Sequence, residues 1–141
     1  MKEIFHASCV AAYNRAALIV GPSNSGKSSL ALELIARGAV LVSDDRTVLS
    51  CESSSLIAKA PLEICGIIEA RGVGLLRAEN FGAAQVSLIV NLGRVEDERL
   101  PPIHYQTILG ISLPVLFDVK VPYFPAAILQ YLKEGLALEK Y

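Results

Sequence analysis

Residues Gly21-Pro22-Ser23-Asn24-Ser25-Gly26-Lys27-Ser28 follow the pattern G-x-x-x-x-G-K-[ST] at every specified position. This pattern constrains the fold because it works only between a buried strand and a helix. Both flanks are present. Ala16-Ala17-Leu18-Ile19-Val20 is continuously apolar, as a strand buried on both faces requires. Residues 27–37 then carry Leu30, Ala31, Leu34 and Ile35 at helical spacing, and Gly38 supplies a stop. Glycine lets the backbone of such a loop curl until its N–H groups converge on phosphate oxygens. The helix N-terminus adds about half a positive charge at the same place. Lys27 is the mobile point charge for the outer phosphates, and Ser28 places a hydroxyl on Mg²⁺. The expected ligand is a nucleoside triphosphate with Mg²⁺, cradled by residues 21–28.

Composition agrees with one packed domain. The chain has 141 residues, 52% of them hydrophobic and only 19% charged, so it has ample apolar surface to bury. Lys and Arg number 13 against 14 Asp and Glu, and no basic cluster stands out, which argues against a nucleic-acid partner. No apolar run approaches the ~18 residues of a membrane helix. The acidic Glu3 and the missing apolar segment do not suit a secretory signal. The three cysteines, Cys9, Cys51 and Cys65, are too few and too scattered for a disulfide framework or a metal site. Buried free thiols in a reducing cytoplasm are expected instead.

Along the chain, residues 5–12 and 16–20 read as two strands, residues 40–42 as a short buried strand, and residues 47–50 and 55–58 as a hairpin with a serine-rich turn. Residues 61–65 read as a loop or short helix. Strands are expected over 67–70 and 84–91, an exposed connection over 96–102, and one or two strands over 108–120. Pro125 suits the first turn of a last helix with Ile128, Leu129, Leu132 and Leu136 on one face. The fold class is α/β with a mixed, strand-rich sheet and few helices.

Asp44 and Asp45 follow Lys27 by one helix and one short strand. If that crossover is an ordinary βαβ unit, the strand ending at Asp44 runs parallel to the one before the loop. Its C-terminal end then lies beside the phosphates. Two carboxylates there can divide metal binding from proton transfer. None of the four asparagines precedes Lys, and none of Asp44, Asp45, Asp97 or Asp118 has Gly three residues on, which disfavours a GTPase switch. There is also no arginine-rich lid of the small-molecule kinase type. A compact kinase with its acid directly after the first crossover remains.

These residues resemble a known family. The stretch from Leu18 through the loop, Ala31-Leu32-Glu33-Leu34-Ile35-Ala36-Arg37-Gly38 and Leu41-Val42-Ser43-Asp44-Asp45-Arg46 is similar to the catalytic domain of bacterial HPr kinase/phosphorylase. His6-Ala7 upstream, Ile68-Glu69-Ala70-Arg71-Gly72-Val73-Gly74 and Glu98-Arg99-Leu100 add to the likeness. The resemblance implies a compact P-loop kinase domain related to the nucleotide-binding core of phosphoenolpyruvate carboxykinase, occupying residues 1–141 with no N-terminal domain before it. It implies an ATP- and Mg²⁺-dependent protein serine kinase acting on the phosphocarrier HPr or a nitrogen-type homologue. In that reading Asp44 is the acid/base and His6 lies near it and the transferred group. Arg71 faces phosphate or substrate, Glu69 faces Mg²⁺, and Asp45 assists through the metal or positioning. The family also implies a homo-oligomer, a hexamer, with an apolar face on residues 115–136. Without the resemblance, His6 on its own is more simply a structural residue.

The chain departs from the family pattern at Asn24, usually Gly, and at Ser29, usually acidic. Val115-Leu116-Phe117-Asp118-Val119-Lys120 stands where the family has a basic Pro-Gly-Arg-Asn segment. Its absence predicts a kinase with little reverse phosphorolysis. Two rivals remain open: a nucleotide-binding regulatory module acting on a sensor kinase or transport component, and a kinase for a small metabolite.

Overall fold

The apolar run before the phosphate loop lies at the centre of the sheet. The computed structural model describes residues 2–137; the ends of the expected 1–141 domain lie outside that range. The strands are Lys2–Phe5 (β1), Ser8–Ala12 (β2), Arg15–Val20 (β3), Val40–Ser43 (β4), Thr47–Glu52 (β5), Ser55–Lys59 (β6), Ile67–Ala70 (β7), Gly74–Arg77 (β8), Ala84–Val95 (β9), His104–Ile108 (β10) and Ile111–Asp118 (β11). The helices are Lys27–Ala36 (α1) and Phe124–Glu134 (α2), with a 3₁₀ turn at Leu62–Ile64. The main sheet runs β4-β2-β3-β9-β11-β10, and β6, β5 and β1 extend from the start of β9. β7 and β8 form a separate hairpin. This is a mixed, strand-rich α/β fold.

Strands β3, β9 and β11 are parallel. Strand β2 is antiparallel to both β3 and β4, so β3 and β4 share a direction, as the crossover predicts. They are not neighbours, however. β2 lies between them, pairing Ser8 with Ile19 and Cys9 with Ser43. The start of β2 therefore sits in the gap between the phosphate loop and the Asp44-Asp45 turn.

Side-chain alternation sorts the core into two layers. Val10, Ala17, Ile19, Leu41, Leu88 and Val90 face α1 and α2, packing on Leu30, Leu34, Ile128 and Leu132. Cys9, Ala11, Ala16, Leu18, Val42 and Ile89 point the other way, towards Leu49, Leu56 and Ala58 of β5 and β6. Four consecutive residues of β3, Ala16 to Ile19, are fully buried because both layers need it. Arg15 ties α2 to the start of β3 by donating Nη1–H to the carbonyl of Leu132 at 2.6 Å.

The single strand expected over 5–12 is two strands. β1 pairs with β5 through Phe5 and Thr47, while β2 pairs with β3. His6 and Ala7 are the step between the two sheets. Ala7 N–H donates to the Asp45 carbonyl at 3.0 Å, and Thr47 Oγ1–H donates to the Ala7 carbonyl at 2.8 Å. The residues of β1 are mostly exposed, so apolar patterning carried no sign of the break. β9 also runs four residues beyond the expected end at 91. β8 was not expected; Leu75 on it is 73% exposed, leaving no alternation with a buried face. The expected turn at Ser53-Ser54 has both residues at positive φ, 51° and 65°, the primed geometry that suits a tight hairpin. Leu136 lies past the end of α2 and is exposed; of the four residues expected on one face, Ile128, Leu129 and Leu132 are buried, joined by Phe124 and Pro125 at the start of the helix. Among the described residues, no helix is long and apolar enough to cross a membrane.

Candidate active site

The loop after β3 wraps its own lysine. Lys27 Nζ donates to the carbonyls of Gly21 and Pro22, both at 2.9 Å, and its side chain is nearly buried. Gly21 has φ +150°, and a Cβ there would stand 2.7 Å from Ser25 Oγ and 3.3 Å from Leu92 Cβ. The glycine is thus required by close approach as well as by conformation. Gly26, at φ +99°, turns the chain into α1. Ser25 Oγ is buried with no hydrogen-bond partner. An orphaned hydroxyl inside the cradle, a lysine held by neutral carbonyls and a helix N-terminus suit an anionic polyphosphate. The residues present fit the group that the motif implies.

Asp44 ends β4 beside this loop, but it is not in the open. It is 6% exposed and accepts from three donors: Ser28 Oγ–H at 2.6 Å, Ser8 Oγ–H at 2.9 Å and the Glu69 backbone N–H at 3.1 Å. Ser8 also accepts the Asp45 backbone N–H at 3.2 Å. One carboxylate therefore joins the phosphate loop, the inserted strand β2 and the β7–β8 hairpin. The turn is closed by Arg46 N–H donating to the Asp44 carbonyl at 2.8 Å and by Ser43 Oγ–H donating to the Arg46 carbonyl.

Asp45 has φ +70°, and this left-handed turn swings its side chain away from that of Asp44. Its Oδ1 meets His6 Nε2 at 2.8 Å, with both side chains at least half exposed. Asp45 and His6 line a cleft of about 340 Å³ together with Lys27, Ser28, Glu69 and Arg71. Arg71 Nη2–H donates to Asn24 Oδ1 at 2.8 Å, linking the hairpin turn to the phosphate loop.

The expected site residues His6, Asp44, Asp45, Glu69, Arg71 and those of the phosphate loop thus fall in or beside one cleft, whereas Glu98 and Leu100 line a separate groove. Ser28 is bonded to Asp44, while Asp45 is paired with His6. Glu69 lines the cleft, and its backbone is what touches Asp44. Among the described residues, no group of three or more His, Cys, Asp or Glu could by itself enclose a metal. A magnesium held here would use Ser28 and one or two carboxylates and complete its shell with phosphate and water. Ser8 was missed by sequence reasoning. Its one signal was a hydroxyl at the head of the otherwise apolar strand Ser8-Cys9-Val10-Ala11-Ala12, two residues from His6.

The mixed sheet, the glycine-lysine-serine loop and the acidic turn beside it define a P-loop domain. Comparison with known proteins makes the assignment specific. The chain belongs to the HPr serine kinase C-terminal domain family, whose profile matches residues 1–128. It is 35% identical over 148 residues to the HPr kinase/phosphorylase of Caldicellulosiruptor bescii, covering 94% of this chain and 46% of that protein. It is 30% identical over 132 residues to the HPr kinase/phosphorylase of Malacoplasma penetrans, covering 87% of this chain and 42% of that protein. The chain spans less than half the length of these curated relatives. The solved structure of the HPr(Ser) kinase/phosphatase from Coxiella burnetii superposes with a TM-score of 0.78 at 28% identity, covering 93% of this chain and 94% of that one.

Proposed function

We propose that the chain is the phosphoryl-transfer domain of an ATP- and Mg²⁺-dependent protein serine kinase whose substrate is an HPr-type phosphocarrier. The observation that carries this reading is the division of the acidic pair. Asp44 is buried against the phosphate-loop serine, and Asp45 is exposed in the cleft with a histidine behind it. A protein kinase without a covalent intermediate needs one carboxylate on the metal side and one at the incoming hydroxyl.

In the resemblance Asp44 is the acid/base. Burial and three donors favour the opposite division. Asp44 has its oxygens engaged and does not line the cleft, so it suits the metal side with Ser28. Asp45 reaches the cleft and suits the base. Magnesium, when bound, neutralises the bridging and terminal phosphate oxygens. Lys27 leaves the Gly21 and Pro22 carbonyls for the outer phosphates, a stronger, charge-assisted pairing. His6 orients Asp45, whose carboxylate takes the proton from the substrate serine hydroxyl. The serine oxygen then bonds to the terminal phosphorus while the bond to the β,γ-bridging oxygen breaks and ADP departs. Lys27 and Arg71 face the charge on the group in flight.

Transfer of ³²P from ATP to an HPr-type protein tests this. Asp45→Asn is expected to slow transfer by 10²–10⁴-fold, the range of a lost general base, with ATP binding within a few-fold of wild type. Asp44→Asn is expected to weaken Mg²⁺-dependent nucleotide binding. Full transfer by Asp45→Asn would overturn the division. Nucleotide binding without transfer to any HPr-type protein would favour a regulatory module. Pyrophosphate release from phosphorylated HPr and phosphate would overturn the kinase-only reading. The apolar groove of about 490 Å³ along Leu100, Leu116, Val119 and Leu136 supports a homo-oligomer, hexameric by family likeness; strictly monomeric light scattering would contradict it.

A further inference from the structure

The exposed side-chain contact between Arg71 and Asn24 joins residues 47 apart, both of which line the cleft. Asn24 occupies a backbone conformation that suits glycine, with φ +65°. A residue with a Cβ is strained in that region, and asparagine is among the few that tolerate it. The position therefore accepts strain and gains an amide. Its Oδ1 takes the Nη2–H of Arg71 at 2.8 Å. An exposed arginine otherwise samples many rotamers. Holding one of its five N–H donors on a neutral oxygen restricts the side chain and leaves four for an anion.

We propose that Asn24 is a positioning residue. It holds Arg71 over the outer-phosphate end of the cleft, so that the guanidinium is set for the terminal phosphoryl group before the nucleotide arrives. This deepens the kinase reading and rests on it. Lys27, held within the loop, serves the inner phosphates as well, whereas Arg71 serves the group that ADP lacks.

The ratio of affinities for Mg²⁺-AMP-PNP and Mg²⁺-ADP isolates that group, and calorimetry measures it without a protein substrate. A merely structural role of Asn24 in the loop would move both affinities together and leave the ratio unchanged. Asn24→Gly removes the acceptor in a conformation glycine adopts freely, so it is expected to fold at least as stably as wild type. Whatever change the two affinities share, the preference for AMP-PNP over ADP should fall roughly three- to fivefold. Arg71→Ala should lower the preference about tenfold. The double variant should match Arg71→Ala alone, because Asn24 acts only through Arg71. An unchanged preference in Asn24→Gly overturns the proposal while leaving the kinase reading in place. So does a further drop in the double variant. If wild type binds neither nucleotide, the functional reading falls and this proposal falls with it.

Discussion

Replacing Asp44 should cost more stability than replacing either carboxylate that lines the cleft, Asp45 or Glu69. Its carboxylate receives Ser28 Oγ–H at 2.6 Å, Ser8 Oγ–H at 2.9 Å and Glu69 N–H at 3.1 Å while only 6% exposed. Hydrogen bonds to a charged group contribute about 1.5–3 kcal/mol each. Three would sum to roughly 4–9 kcal/mol, against which stands several kcal/mol for keeping an ion from water. Asp44→Ala removes both terms but strands the fully buried Ser8 hydroxyl, at about 1–3 kcal/mol, whereas Glu69 is exposed and its amide can turn to water. A net loss of about 2 kcal/mol follows, or a Tm drop on the order of 7 °C for a domain of this size. Asp44→Asn should cost less. The Glu69 N–H can only donate, so the carbonyl of the substituted amide must face it. The amide NH₂ then faces Ser8 and Ser28, whose hydroxyls can rotate to accept. All three contacts survive without the charge, at a cost of about 1 kcal/mol. Urea titrations followed by circular dichroism read both values, with m unchanged. An alanine variant within about 1 kcal/mol of wild type would refute the reasoning, as would an asparagine variant as unstable as the alanine one.

Two further outcomes follow from local geometry. Gly21→Ala would place a methyl 2.7 Å from Ser25 Oγ and 3.3 Å from Leu92 Cβ at φ +150°, so calorimetry should show nucleotide affinity reduced at least tenfold; Gly72→Ala, where a Cβ meets nothing within 4 Å, serves as the comparison. Cys9 is fully buried and its thiol is pushed far above the ordinary range by desolvation, while Cys51 and Cys65 are exposed. A thiol reagent should therefore titrate two groups in the native protein and a third only on unfolding. Because the raised folded-state value favours the protonated thiol, the stability contribution of Cys9 is complete below the unfolded value of about 8.5. It is lost as pH rises beyond that, at up to about 1.4 kcal/mol per pH unit. Cys9→Ala should flatten this part of the urea-midpoint profile; an unchanged slope would refute it.

The sequence alone determined the local unit at the heart of the site. A continuous apolar run, a glycine-framed loop and a helix with Leu30 and Leu34 on one face can be read without neighbours, because strand burial, loop curl and helix periodicity are short-range properties. The shared direction of β3 and β4 was also legible, since crossover handedness leaves little choice. What the sequence could not reveal arises from pairing between distant segments. The break at His6-Ala7 exists because β1 finds β5 and β2 finds β3, and exposed residues such as Ile4 carry no pattern that signals it. The insertion of β2 between β3 and β4, which brings Ser8 to Asp44, is likewise a matter of sheet order. Adjacent aspartates look alike in a sequence. Only the left-handed backbone at Asp45, with β4 burying one side chain and the turn presenting the other, makes Asp44 and Asp45 chemically different.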